Sequence, residues 1–205
     1  MLTFDHLAIS CDPLKSGVAH VEEALGVRLS PEGKHPHMGT HNRLLSLGGG
    51  EYLEVIAIDP DAPGPDQPRW FDLDRFDGPP RVTNWICRCD DLQAAMALAP
   101  DGIGKVWDLE RADFRWRMTI PEDGCLPFDG CFPALIEWQG AAHPAKRLPD
   151  AGVRLKEMVL YHPEADALRA ALAPLISDDR IAVRQGDQPE IRALFSTRSD
   201  DVDLW

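Results

Sequence analysis

Residues 4–10 are Phe4-Asp5-His6-Leu7-Ala8-Ile9-Ser10, a short apolar run that ends at Cys11-Asp12-Pro13. A run of this length before a proline is typical of a β-strand. Apolar side chains follow at helical spacing over residues 14–25, and Gly26 stands at the expected helix end because glycine tolerates left-handed geometry. The sequence therefore predicts a strand that leads directly into a helix.

Two further strands are predicted after the polar stretch 30–40. They cover residues 42–47 and 52–58, and the triple glycine 48–50 between them is typical of a hairpin. Residues 61–80 are rich in proline and acidic side chains, which indicates a connector with one helical turn. Residues 1–60 are thus predicted to form a first unit that ends at this connector.

The pattern begins again after the connector. A second unit over residues 81–140 is predicted from a strand at 82–89, a helix at 92–98 and strands at 105–111, 114–120 and 132–138. A partial third unit, with one strand, one helix and two more strands, is predicted over residues 150–205. A unit used again after roughly eighty residues predicts an α+β fold of repeated βαβββ units in one compact domain.

Composition limits the classes of partner. The chain has 205 residues and a formal net charge of −13, so nucleic acid and anionic membranes would be repelled, and a small molecule is the expected partner. The first residues lack the basic and apolar parts of a secretory signal, and we expect a soluble, cytoplasmic protein. Five scattered cysteines do not suggest a disulfide framework, and free thiols are expected.

Short motifs spread over most of the chain carry a family resemblance. They are Phe4-Asp5-His6-Leu7-Ala8-Ile9, Gly33-Lys34-His35-Pro36-His37-Met38-Gly39-Thr40-His41-Asn42, Tyr52-Leu53-Glu54-Val55-Ile56, Phe114-Arg115-Trp116-Arg117, Phe132-Pro133-Ala134-Leu135-Ile136-Glu137-Trp138 and His143-Pro144-Ala145. In this order they resemble the glyoxalase-like domain proteins of the vicinal-oxygen-chelate superfamily, which includes glyoxalases, bleomycin-resistance proteins and extradiol dioxygenases. The resemblance implies paired βαβββ units whose curled mixed sheets form a concave cup around a small molecule.

The resemblance also implies a divalent metal ion, held by residues on the first and last strands of each unit. Carried over to this sequence, the metal ligands are His6, Glu54 and Glu137, with Glu54 or Glu137 as the catalytic group that moves a proton. Asn84 occupies the remaining position, but a neutral amide is a poor ligand for zinc, iron or nickel, so we assign it to substrate binding. A metal-free polar pocket and purely structural hydrogen bonding are the alternatives.

Other polar residues are candidates for substrate contact. His35, Thr40 and Asn42 belong to a polar loop next to Gly39 and are candidates for lining the pocket. Along the strand 114–120, side-chain alternation places Arg115 and Arg117 on one face, which we expect to turn toward the cup and bind a substrate carboxylate. The alternative is that both arginines pair with surface acids.

The favoured function is a metal-assisted enzyme that acts on a small oxygen-bearing molecule. The metal would stabilise negative charge on the substrate while a glutamate moves a proton. Residue types do not separate a lyase, an isomerase and a ring-cleaving dioxygenase. The alternative from another class is a non-catalytic binding protein with the same cup. A homodimer is expected, with a monomer as the alternative if the third unit covers the free sheet edge.

Overall fold

The computed structural model describes all of residues 1–205, which form twelve strands and three helices. The strands are β1 (Thr3–Ser10), β2 (Gly33–His35), β3 (Thr40–Gly48), β4 (Glu51–Ile58), β5 (Arg81–Arg88), β6 (Lys105–Arg111), β7 (Phe114–Ile120), β8 (Ala134–Trp138), β9 (Arg154–His162), β10 (Ile181–Gln185), β11 (Glu190–Ser196) and β12 (Asp201–Leu204). The helices are α1 (Leu14–Leu25), α2 (Leu92–Met96) and α3 (Ala165–Leu172), and 3₁₀ turns span Trp70–Arg75, Phe128–Gly130 and Pro144–Lys146.

The first eight strands form one curled mixed sheet in the order β2-β3-β4-β1-β5-β8-β7-β6. Each half contains one strand, one helix and three strands. Within each half the first and last strands pair in parallel, as β1 with β4 and β5 with β8, and the halves join where β1 pairs antiparallel with β5. This confirms the predicted α+β fold of repeated βαβββ units curled into a cup.

The helices lie on the outer face of the sheet. Helix α1 packs against β4, and the absence of a side chain at Gly17 permits the close approach, since a Cβ there would lie 2.8 Å from Val55 Cγ1. Side chains alternate along a strand, so Glu54 points away from the face that Val55 gives to the helix. Helix packing on one face thus leaves the opposite face for the cup.

Residues beyond the large sheet form a second sheet in the order β10-β9-β11-β12. Helix α3 packs against β9 and β10, and β11 packs against β5 of the large sheet. One cluster of 49 buried apolar residues contains side chains from both sheets, so the two sheets share a hydrophobic core. The first strand of this sheet in chain order, β9, lies between β10 and β11. In the large sheet, by contrast, the first strand of each unit, β1 or β5, pairs with the last strand of the same unit.

Two short strands were not predicted from the sequence. Gly33–His35, expected to be loop, pairs with β3, and Asp201–Leu204 pairs with β11. Both lie at sheet edges. Gly33–His35 lacks the alternation that marks a half-buried strand, whereas Asp201–Leu204 alternates over only four residues. All five cysteines are free, as expected, and the longest apolar helices fall short of the length needed to cross a bilayer.

Candidate functional site

A small cavity of about 40 Å³ opens on the concave face of the large sheet. Its polar wall consists of His6, His35, Asn42, Tyr52, Glu54 and Arg111, and its apolar wall includes Trp70, Phe71, Phe114, Trp116, Met118, Ile136 and Trp138. A single water needs only about 10–15 Å³, so the cavity has room for a few non-hydrogen atoms. The enclosed polar groups are therefore available to the reactive end of a small molecule.

His6 and Glu54 form the centre of the polar wall. The parallel register of β1 and β4 pairs Ala8 with Glu54. His6 lies two residues before Ala8 and shares its face of β1, so the His6 and Glu54 side chains point to the same face of the sheet. His6 Nε2 lies 3.6 Å from Glu54 Oε2, and both side chains are almost completely buried. On its other side, His6 Nδ1 lies 2.7 Å from Asp5 Oδ1. The imidazole is thus held between two carboxylates.

Asp5 anchors this arrangement from behind the cavity. Its side chain is fully buried, and Oδ2 accepts a hydrogen bond from Trp138 Nε1 at 3.1 Å and lies 3.1 Å from His143 Nε2. Burial alone raises the pKa of Asp5, but hydrogen bonds from His143 and His6 outweigh it and lower the pKa below its usual range. The ionised Asp5 carboxylate therefore fixes the orientation of the His6 ring.

The two carboxylates set the proton affinity of the pair. Burial lowers the pKa of His6, but the hydrogen bonds with Asp5 and Glu54 prevail and raise it above 6.5. Burial raises the pKa of Glu54, but its hydrogen bonds with His6 and Asn42 lower it to about 2. The free site therefore favours an imidazolium next to an ionised glutamate.

A second set of hydrogen bonds extends from Glu54 to Arg111. Asn42 Nδ2 donates to Glu54 Oε1 at 2.5 Å, and Arg111 Nη1 donates to Asn42 Oδ1 and to His35 Nε2, both at 3.1 Å. Desolvation lowers the pKa of His35 to about 4, so its ring is neutral at physiological pH. His35 Nδ1 then carries the proton and donates to Thr40 Oγ1 at 3.1 Å.

The connector supplies one more polar group. Trp70 lies in its 3₁₀ turn, lines the cavity, and has a buried Nε1 with no hydrogen-bond partner. A buried indole N–H is normally satisfied, so this donor is available to an oxygen atom of a ligand. Trp70 and Arg111 thus provide hydrogen-bond donors to the same cavity that holds His6 and Glu54.

The structure brings together only some of the candidate residues. His6, Glu54, His35 and Asn42 line the cavity, and Thr40 supports His35 from outside it. Glu137 does not belong to the cavity. It lies on the outer face of β8, where it accepts hydrogen bonds from Arg117 Nη2 at 2.6 Å and from the Leu92 backbone N–H at 3.0 Å.

The two arginines of β7 and Asn84 also lie away from the cavity. Arg115 is exposed and lies 3.3 Å from Glu110, and Arg117 pairs with Glu137. The apolar alternate residues of β7, among them Trp116, face the cup instead. Asn84 lines a separate and larger cavity. The alternation along β7 correctly predicted which side chains share a face. The face that lines the cup, however, is the aromatic one and not the one with the two arginines.

Comparison with known proteins agrees with this architecture. Residues 4–176 match the model of the glyoxalase-like domain family. The chain belongs to this family. No curated protein matches it significantly in sequence.

Solved structures that are similar to this chain are distant from it in sequence. A hypothetical protein from Staphylococcus aureus is 12% identical with a TM-score of 0.60, covers 93% of this chain and 88% of its own, and so shares the fold. Methylmalonyl-CoA epimerase from Streptomyces coelicolor, in complex with 2-nitronate-propionyl-CoA, is 18% identical with a TM-score of 0.46, and covers 69% and 100% of the two chains. The epimerase from Mycobacterium tuberculosis is 20% identical with a TM-score of 0.42, and covers 68% and 88%.

The residues of this glyoxalase-like domain do not fit the divalent metal that the family resemblance implies. A catalytic metal usually takes three protein ligands, but no group of three histidine, cysteine, aspartate or glutamate side chains comes together in the structure. Glu54 Oε1 is already engaged by Asn42, and the Arg111 guanidinium lies on the far side of that amide. The cup therefore offers fewer than the three protein ligands that a catalytic metal site usually takes.

Several residues of the site were missed from the sequence, among them Asp5, Tyr52, Trp70 and Arg111. Asp5 precedes His6, but strand alternation places the two side chains on opposite faces, so their 2.7 Å contact was not expected. The two residues between the predicted strands 105–111 and 114–120 indicate a tight hairpin, but no local pattern shows that Arg111 reaches His35 and Asn42. Trp70 has no sequence signal beyond being an aromatic residue in the connector.

Proposed function

We propose that the chain is an enzyme that transfers a proton on a small molecule bearing a carbonyl or carboxylate group, in the isomerase or lyase class. One observation carries the proposal. A buried His6–Glu54 pair, 3.6 Å apart, shares an enclosed cavity with Arg111 and with the unpartnered Trp70 Nε1. An acid, a base and donors for an oxygen atom are the groups that such a reaction needs.

The proposed chemistry assigns one role to each group. Arg111 and Trp70 hold the substrate oxygen, on which negative charge develops when a neighbouring C–H bond is broken. Glu54 accepts the proton, and the His6 imidazolium returns a proton to the substrate, so that the protons balance. A substrate atom between His6 and Glu54 weakens their mutual hydrogen bond, which raises the proton affinity of Glu54 relative to the free protein.

Metal-assisted isomerase, lyase and dioxygenase reactions were suggested by the sequence. The metal donors suggested from the sequence were His6, Glu54 and Glu137, and Glu137 is engaged by Arg117 on the outer face. The two remaining donors leave the metal with fewer protein ligands than a catalytic site normally has. The proposal therefore routes no step through a metal and places proton transfer on the side chains of the cup.

The test is deuterium exchange at carbon, because exchange reports proton abstraction without knowledge of the full reaction. A panel of small 2-oxo acids, 2-hydroxy ketones and thioesters is incubated with protein in D₂O, and loss of the α-proton is followed by NMR. We expect exchange of one compound class with wild-type protein and none with Glu54→Gln. Arg111→Met is expected to weaken substrate binding, because it removes the charged donor.

Glu137→Gln is the matched control. It removes a carboxylate from the outer face and should leave exchange unchanged, since Glu137 contacts no cavity group. Equal exchange in wild-type and Glu54→Gln protein would contradict the proposal. Saturable binding of a panel compound without any exchange would instead indicate the non-catalytic binding protein that the sequence left as the alternative.

A further inference from the structure

A second, much larger cavity lies on the other side of Phe71 from the small one. It measures about 630 Å³ and is bounded by the start of β5, the 3₁₀ turns at Trp70–Arg75 and Phe128–Gly130, the start of β11, and Trp205. Its volume falls within the usual range of small-molecule sites, about 300–1,000 Å³. Residues 188–191 and Trp205 lie beyond the segment that matches the family, so this cavity is partly built from chain outside the glyoxalase-like domain.

Asn84 is the polar group that sets this cavity apart. The side chain is only 4% exposed, lines the cavity, and has a buried Oδ1 without any hydrogen-bond partner. A buried amide oxygen that stays unpaired costs stability, and most such groups are satisfied. Gly130 leaves room for the amide, because a Cβ there would lie 3.0 Å from Asn84 Nδ2 and 2.7 Å from the Thr83 carbonyl oxygen.

Four of the five charged side chains around the cavity have partners within the chain. The fifth, Asp129, is 75% exposed and lies 3.5 Å from His162 Nε2. Arg75 Nε lies 2.7 Å from Asp72 Oδ1, and Glu190 Oε1 accepts from Arg192 Nε at 2.9 Å. Arg81 donates to the Asp77 carbonyl oxygen at 2.7 Å and lies over the Phe76 ring. No free guanidinium remains to select an anion. With no free cation and one exposed carboxylate, the lining therefore disfavours an anionic ligand.

Aromatic and aliphatic side chains make up much of the wall, which also includes Thr83 and Gln188. Phe71, Phe76, Leu126, Ile191 and Trp205 are the largest of them, and Trp205 is 61% exposed at the mouth. Flat apolar surfaces of this kind bind planar, apolar groups. A ligand that satisfies both features has an aromatic body and one uncharged group that donates and accepts hydrogen bonds.

We propose that this cavity is a binding site for a small, uncharged aromatic carboxamide. Its amide N–H donates to Asn84 Oδ1, its carbonyl oxygen accepts from Asn84 Nδ2, and its ring contacts the aromatic wall. The site stands independently of the proton-transfer function, because none of its hydrogen-bonding groups belongs to the His6–Glu54 cavity.

Benzamide is the probe, and its binding to the full chain is measured by ligand-observed NMR and by calorimetry. We expect saturable binding with a dissociation constant in roughly the millimolar range, which suits a fragment of this size. Toluene lacks the amide and benzoate carries a charge, so both should bind more weakly. Asn84→Leu should weaken benzamide binding about tenfold, the effect of losing a buried hydrogen bond. Trp205→Ala, a change at the exposed mouth, should also weaken it.

The matched control is Asn42→Leu, because the chain has only two asparagines and Asn42 lines the small cavity. It should abolish proton exchange and leave benzamide binding unchanged, which separates failure of one proposal from failure of the other. Absence of saturable benzamide binding, or equal binding by wild-type protein and folded Asn84→Leu, would overturn the assignment.

Discussion

Replacing Glu54 by glutamine tests whether the carboxylate is held ionised by its neighbours. Glutamine keeps the shape and can still accept the hydrogen bond from Asn42, so the charge is the main change. The pKa of Glu54 falls from 4.5 to about 2 in the folded chain. At about 1.4 kcal/mol per unit, this corresponds to about 3 kcal/mol of folding free energy near neutral pH.

The sign of the pH dependence follows from the direction of the shift. Because the folded-state pKa of Glu54 is depressed, its stabilising contribution is complete above pH 4.5 and is lost as the pH falls toward about 2. His6 behaves in the opposite way. Its pKa is raised, so its contribution is present below pH 6.5 and is lost as the pH rises through the folded-state value.

The assay is urea denaturation of wild-type and Glu54→Gln protein from neutral pH down to about pH 3. The stability difference should stay near its full value from neutral pH to about pH 4.5 and shrink below that. Glu137→Gln, whose partner Arg117 is partly exposed, should differ from wild type by no more than about 1 kcal/mol. A Glu54→Gln difference that stays constant over the whole range would refute a depressed pKa for Glu54.

Three further predictions concern single positions. Asn84→Leu should raise the unfolding free energy by about 1 kcal/mol, because it removes a buried amide oxygen that has no hydrogen-bond partner. Thermal denaturation measures this change, and a loss of stability would contradict the prediction. Ala112→Gly should stabilise the folded protein by about 1 kcal/mol, because Ala112 has a left-handed φ of 55° in the β6–β7 turn. Thermal denaturation also measures this change, and an unchanged unfolding midpoint would show that the alanine is unstrained. His35, with a pKa of about 4, should show no imidazole titration by NMR between neutral and mildly acidic pH. The neutral ring contributes stability above pH 6.5, and this contribution should be lost as the pH falls toward about 4.

The fold could be predicted because its signals are local and repeated. Helix α1 ends at Gly26, whose φ is 65°, and the triple glycine joins β3 and β4, as the sequence indicated. His6 and Glu54 could be placed on one face, since alternation along two parallel neighbouring strands fixes which side chains lie together. The edge strand β2 escaped prediction because its three residues have no alternation to detect, and β12 was missed although its four residues alternate.

The rest of the site depends on tertiary structure that no local pattern contains. An apolar strand face can line either a core or a cup, so the alternation of β7 could not show that Trp116 rather than Arg117 faces the cavity. Glu137 has the residue type and position expected of a ligand, but β8 presents Ile136 and Trp138 to the cup. Arg111 enters the site only because the hairpin returns β6 to the edge of the curled sheet.

The position of the connector has a consequence for how such a protein can change over evolution. The strands of the two repeats pair with each other, so a substitution there disturbs the sheet and the shared core. Trp70 and Phe71 belong to neither repeat, yet Phe71 lines both cavities and Trp70, next to it in the chain, lines the small one. Smaller side chains at these two positions would merge a compartment of about 40 Å³ with one of about 630 Å³ and leave every strand pairing in place. The size of the molecule that the cup accepts can therefore drift through the linker alone, while the duplicated framework stays constant.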